Sequence, residues 1–156
     1  MEAKLTINDN GVLESAEFDD LEGIDVDPDF EDIVDVIHRT AVEIPYSVTH
    51  IGDRAFYDKR WLSAVTIPES VLTIGGEAFS DCYYMESVIL PKSVALIGRK
   101  AFAYCEGMIS ITIANESALF EDDVFFGCTK KLTIHAKKES SAEKYAALSS
   151  IRFEAI

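Results

Sequence analysis

The sequence predicts a solenoid of short stacked coils with a cap at each end, and three observations predict it. A 23-residue repeat runs through the middle of the chain: Ile44-Pro45, Ile67-Pro68 and Leu90-Pro91 open three copies, and a partial fourth begins at Ile113. Self-similarity at a fixed period of this length means units that bury their apolar faces only against their neighbours. The three full copies carry Ser-Val, Ile-Gly and Ala-Phe at constant offsets, as in Ser70-Val71, Ile74-Gly75 and Ala78-Phe79, and the fourth keeps Ser117, Phe120, Phe125 and Cys128. Finally, Leu62-x-x-Val65-x-Ile67 and Met85-x-x-Val88-x-Leu90 are alternating apolar stretches that end just before a proline, and each reads as a short strand.

The N-terminal part (residues 1–41) is expected to be a cap. Lys4–Ile7 and Val12–Phe18 alternate around the turn Asn8-Asp9-Asn10-Gly11, the pattern of a hairpin. Asp27-Pro28 looks like a helix start, and Phe30, Ile33, Val34 and Ile37 mark one helical face. A strand over Ile33–Ile37 is the alternative, because apolar residues also alternate there. Stepping back by the repeat length places Ile33 under Phe56, Val42 under Val65, Ile44 under Ile67 and, two steps back, Val36 under Cys82, so this segment reads as a degenerate coil. Terminal repeats shield the open core and are expected to be atypical.

Residues 42–136 hold the repeats. Successive strands should pair in parallel along one side, each ladder ended by its proline. The segment Val48-x-x-Ile51 returns the chain along the opposite side. Gly52, Gly75 and Gly98 are expected to supply a positive-φ turn. Ala55-Phe56-x-x-Lys59 and its copies should form one short helical turn, with Phe56, Phe79, Phe102 and Phe125 stacked as an aromatic spine. Cys82, Cys105 and Cys128 recur in phase, with Lys59 in the first copy. An odd number at repeat spacing reads as buried thiols rather than a disulfide framework. Residues 137–156 should form the second cap, with Ser140 or Ser141 capping a helix over Ala142–Ser149, Tyr145 and Leu148 on its inner face, and a strand over Ile151–Ile156. All of this makes one domain.

Charge narrows the partners. The chain of 156 residues carries a net charge of −14, and 11 of its 28 acids lie between Glu14 and Asp35, where there is no Lys or Arg. Such acidity repels phosphate backbones and argues against nucleic acid. No apolar run is long enough to cross a membrane. The start, Met1-Glu2-Ala3-Lys4, lacks a signal-peptide pattern, so the chain as written is expected to be cytoplasmic unless a leader has been removed from it. No catalytic, metal or cofactor site is expected. His38, His50 and His135 fall in different columns, and neither a phosphate loop nor a nucleophile elbow is present. Asp25-x-Asp27-x-Asp29 begins like an EF-hand loop, but Pro28, Phe30 and Val36 stand at positions that loop cannot use. That leaves at most a loop-type calcium site within Asp19–Asp35.

The consensus Ile/Leu-Pro-x-Ser-Val-x-x-Ile-Gly-x-x-Ala-Phe-x-x-Cys-x-x-Leu-x-x-Val resembles the BspA-type leucine-rich repeat of bacterial surface proteins over residues 42–135. The resemblance implies a right-handed leucine-rich-repeat solenoid and a role in protein binding or adhesion, with no catalytic residues. It also implies a secreted or cell-surface setting in bacteria. The chain departs from the pattern at Lys59, at Ala114 for Pro and at Glu121 for Gly.

A binding surface can be placed by columns. Arg60-Trp61 and Tyr83-Tyr84 lie just before the strands, with Tyr104 one coil on, and Trp61 and Tyr84 share a column. Trp, Tyr and Arg are the residue types that anchor protein interfaces. The rings could equally cover gaps between coils. The expected function is non-enzymatic recognition of a protein partner by a monomer or weak homo-dimer. A structural spacer or self-associating scaffold, and a carbohydrate-binding surface, are the alternatives.

Overall fold

The computed structural model describes residues 3–18 and 40–156. The helix expected from Asp27-Pro28, its face Phe30, Ile33, Val34 and Ile37, the coil position Val36 and the loop Asp19–Asp35 lie outside the described residues. In chain order the described elements are β1 (Ala3–Ile7), β2 (Val12–Phe18), β3 (Thr40–Glu43), β4 (His50–Ile51), β5 (Leu62–Thr66) and β6 (Thr73–Ile74). They continue with β7 (Ser87–Leu90), β8 (Leu96–Ile97), β9 (Ser110–Ile113), β10 (Leu119–Phe120), β11 (Thr133–Ala136), a helix α1 (Ser141–Leu148) and β12 (Arg152–Ala155).

The coils form a parallel solenoid. On one side β7, β9, β11 and β12 pair in parallel, with Ser87 opposite Ser110 and Ser110 opposite Thr133, which is the repeat offset. The last step is shorter, Thr133 pairing with Arg152, because α1 carries the chain back more directly than a full repeat. The single sheet expected on this side is interrupted: β3 and β5 pair only with each other among the described strands. Ser63 bulges out of β5, its hydroxyl donating to the Thr40 carbonyl at 3.2 Å. A bulge bends a strand and increases its twist, and β5 is the strand at which the ladder stops.

The return segment is also a sheet. Two-residue strands β4, β6, β8 and β10 stack in parallel, and the N-terminal hairpin joins them through β2, giving the order β1-β2-β4-β6-β8-β10. The hairpin itself is as expected, antiparallel, with Leu5 opposite Ala16. Its inward Leu13 and Ala16 complete the core that Val48, Ile51 and Phe56 begin.

Two local expectations are corrected. Gly52, Gly75 and Gly98 do not adopt positive φ; the left-handed positions lie further along the coil, at Arg54, Glu77, Lys100 and Asp123 and again at Asp58, Asp81, Tyr104 and Gly127. The glycines are needed for closeness instead. A Cβ on Gly98 would fall 2.6 Å from the carbonyl carbon of Gly75, and one on Gly75 would fall 2.6 Å from the Asp53 nitrogen. Nor does the Ala-Phe segment form a helical turn. Its left-handed residues break any helix, and its N–H groups divide between two uses. Ala55, Tyr57 and Lys59 donate within their own coil to Gly52, Arg54 and Phe56. Arg54, Phe56 and Asp58 donate to the next coil, at Gly76, Ala78 and Ser80. The result is a chain of turns laddered like a strand.

Across this ladder the phenylalanine spine forms as expected. Ring centroids are 4.9 Å apart for Phe56–Phe79, 5.2 Å for Phe79–Phe102 and 5.8 Å for Phe102–Phe125, all near parallel. α1 closes the spine. Ser140 caps it, accepting from the Glu143 N–H, and Tyr145 meets Phe125 edge-on at 6.0 Å. The inner face of α1 is Ala142 and Ala146 with Tyr145 beside them; Leu148, expected on that face, is 87% exposed. The small alanines let the helix lie close to the last coil.

Candidate interaction surface

The outward residues of the strands are small and mostly uncharged, including Ala64, Thr66, Ser87, Ser110, Thr112 and Thr133, with Ile89 exposed among them. Alternation along each strand forces this: Val65, Val88, Ile111 and Ile134 point into the core, so their neighbours point out.

The aromatic residues beside the strands fall into two clusters. In the first, Trp61 stacks on Tyr84 with centroids 5.7 Å apart and planes 11° apart, and Tyr83 meets Tyr84 edge-on at 5.1 Å. The shared column brings Trp61 and Tyr84 together, since they hold the same repeat position in successive coils. Both are half-buried, whereas Tyr83 is 41% exposed. Arg60 is exposed and pairs with Asp58 at 2.9 Å. Gly107 continues the ring column without a side chain, and a Cβ there would stand 2.5 Å from the Tyr83 carbonyl oxygen. The rings therefore end in a step.

Tyr104 belongs to the second cluster. It packs edge-on against Phe126 at 5.5 Å, and its ring lies over Gly127, where a Cβ would come within 2.5 Å of Tyr104 Cδ1. Lys100 Nζ sits 5.7 Å from the Phe126 ring centre. Phe126 adds an aromatic ring to this surface that the repeat columns do not predict. It is half-exposed, yet the repeat offers Tyr57, Ser80 and Ala103 at its position, so no pattern flags it.

The cysteine column holds free thiols. Cys82, Cys105 and Cys128 each donate to the phenylalanine carbonyl of the preceding coil, at 3.3, 3.1 and 3.0 Å from Phe56, Phe79 and Phe102. Burial pushes the Cys82 thiol well up, and Cys105 is raised by its hydrogen bond with Cys128 and by burial. Thiols held protonated in this way are poor nucleophiles and poor metal ligands. Among the described residues no group of His, Cys, Asp and Glu is arranged to hold a metal, and no helix is long and apolar enough to cross a membrane. Native-state labelling with a thiol-reactive disulfide should therefore modify Cys128, the half-buried member, first, while Cys82 and Cys105 react only on unfolding. Mass mapping of the labelled peptides checks the order.

These features define a parallel β-solenoid of leucine-rich-repeat type. The family model for the BspA type leucine rich repeat region matches residues 36–151 with 6 copies, and the chain belongs to that family. No match was found among curated proteins. The fold is similar to that of a leucine-rich repeat protein from Bacteroides ovatus, with a TM-score of 0.60 and 21% identity over 74% of this chain and 30% of that one. It is also similar to a leucine rich cell surface protein from Faecalibacterium prausnitzii, with a TM-score of 0.62 and 26% identity over 74% of this chain and 31% of that one. A leucine rich repeat protein of T. pallidum aligns with a TM-score of 0.50 and 17% identity over 61% of this chain and 57% of that one. The chain thus spans less than a third of the length of the first two.

Proposed function

We propose that this chain is a non-enzymatic recognition module that binds a protein partner in an adhesion role through the rim formed by Trp61, Tyr84, Tyr83 and Arg60. The observation that carries the reading is the stacked Trp61–Tyr84 pair, flanked by exposed Tyr83 and Arg60, at the margin of a small-residue face. Large rigid rings beside a smooth surface offer contact area at little cost in side-chain entropy. The similarity to a leucine rich cell surface protein supports a setting at the bacterial surface.

The test is a pull-down from the native source with the folded domain, followed by binding of each recovered protein to Trp61→Ala and Tyr84→Ala. Each variant is expected to weaken binding by about 2 kcal/mol, some thirty-fold, while circular dichroism stays native. Unchanged binding to every recovered partner by natively folded variants would refute the assignment. Capture of a glycan on an array with no protein partner would redirect the same rim to carbohydrate. Sedimentation showing a concentration-dependent dimer would favour self-association.

A further inference from the structure

The turn ladder has a direction. In each inner coil, three alternate N–H groups donate to the carbonyls of the next coil. Glu77, Phe79 and Asp81 reach Arg99, Ala101 and Ala103 at 2.9, 2.8 and 2.9 Å. Lys100, Phe102 and Tyr104 reach Asp122, Val124 and Phe126 at 3.1, 2.9 and 2.7 Å. The same positions in the fourth coil are Asp123, Phe125 and Gly127. Among the described residues, no acceptor meets the N–H of any of the three. The intervening Val124 N–H donates to Tyr145 Oη at 3.0 Å, and those of Phe126 and Cys128 stay within their own coil. α1 therefore covers the end of the ring spine but leaves the backbone ladder open. Three donors spaced two residues apart are the exposed edge of a sheet in all but name, and such edges pair with extended chains.

The opening is a cleft of about 690 Å³, lined by Asp122, Asp123, Phe126, Gly127, Tyr145 and Leu148, among others. Phe126 and Leu148 present exposed apolar surface to it, at 50% and 87% exposure. Its charged lining is Glu121, Asp122 and Asp123 against one cation, Lys130, so the cleft is acidic on balance. The column that ends at Asp123 runs Arg54, Glu77, Lys100, Asp123, alternating in sign from coil to coil. Arg54 Nε pairs with Glu77 Oε2 at 2.7 Å. The next position in that series calls for a cation.

We infer that this cleft docks an extended, basic segment of a partner protein. Alternate carbonyls of the segment accept from the N–H groups of Asp123, Phe125 and Gly127. An Arg or Lys faces Asp122 and Asp123, and an apolar side chain rests on Phe126 and Leu148. The residue above Phe125 is small, because the Tyr145 ring already occupies the place a further phenylalanine would take. The site lies in the last coil and is separate from the Trp61–Tyr84 rim in the first two, so the two assignments stand or fall independently.

The probe is the blocked peptide Gly-Arg-Lys-Ala-Ala-Ala-Tyr-Ser. It copies the segment that docks on the second coil, residues 98–105, with Ala for the phenylalanine and Ser for the thiol. Titrated into the ¹⁵N-labelled chain, it should move the amide signals of Asp123, Phe125 and Gly127 downfield and slow their hydrogen exchange about ten-fold. A version with Glu-Glu for Arg-Lys should bind about ten-fold more weakly, and the double variant Asp122→Asn/Asp123→Asn should weaken the basic peptide by a similar factor. Asn tolerates the left-handed backbone of position 123, so that variant keeps the fold. Unmoved amides at millimolar peptide, or equal binding of the acidic version, would overturn the inference. So would shifts of the same three amides on concentrating the chain without peptide, which would assign the cleft to a second copy.

Discussion

Phe79→Ala should destabilise the chain by about 3–5 kcal/mol, the range for truncating a buried phenylalanine. Phe79 is fully buried between two rings that lie within 8° and 3° of parallel to it, so its loss leaves a void lined by Phe56 and Phe102. The usual relief, collapse of the neighbours into the void, is blocked here. Each coil is held to the next by ladder hydrogen bonds of 2.7–2.9 Å on either side of the ring, and these fix the spacing of the backbones. Phe125→Ala should cost less, because its ring stacks on a phenylalanine on one side only and meets Tyr145 of α1 edge-on on the other. Urea unfolding followed by circular dichroism measures both. A Phe79→Ala cost below about 1 kcal/mol would mean that the spine is decoration on a fold held by its backbone ladders.

Gly98→Ala should cost about 3 kcal/mol, toward the upper end of overpacking penalties, whereas Gly76→Ala should change stability by less than about 0.5 kcal/mol. Neither glycine has positive φ, so the comparison isolates space from conformation. The added Cβ at Gly98 runs into the face of the Gly75–Gly76 peptide, at 2.6 Å from the Gly75 carbonyl carbon, 2.7 Å from the Gly76 nitrogen and 2.9 Å from the Gly75 oxygen. Backbone held in a ladder cannot rotate away as a side chain can, so the coils must part. At Gly76 the nearest atom is 3.5 Å distant, an ordinary contact. Thermal or urea unfolding of the two variants side by side decides the matter. Equal penalties would show that conformational freedom, not close approach, is what these glycines provide.

The glycine column shows how a correct pattern can carry a wrong reason. Gly at a fixed place in the first three coils is compatible with a left-handed turn and with tight stacking, and the residue itself does not distinguish them. The left-handed conformations are borne instead by Arg54, Glu77, Lys100 and Tyr104, residue types that give no hint of it, and by Asp58 and Asp81, whose type tolerates it without requiring it. The turn ladder was hidden for a related reason. It is made wholly of backbone N–H and C=O groups, which every residue carries, so side-chain identity does not reveal which coil a given N–H serves. Spacing likewise does not set exposure where α1 packs. Tyr145 and Leu148 share a helical stripe by spacing, but the closeness that Ala142 and Ala146 permit rotates Leu148 into solvent.

For the site, the Trp61–Tyr84 stack was legible because both rings sit at the same phase of the repeat. The Tyr104–Phe126 cluster was only half legible, and the cleft beside it not at all.

What the sequence determined by itself is everything that the period carries: the parallel solenoid, the strands ending at proline, the Phe56–Phe125 spine and the column of free thiols. Periodicity suffices for these because a residue stacked on its own copy one coil away meets the same chemistry it presents. The tertiary structure alone decided what happens where the repetition ends or breaks: the hairpin joining the return sheet, the interruption after β5, the exposure of Leu148 on α1 and the row of donors left open at Asp123, Phe125 and Gly127. At an end the neighbour is no longer a copy, and its identity follows from packing rather than from phase.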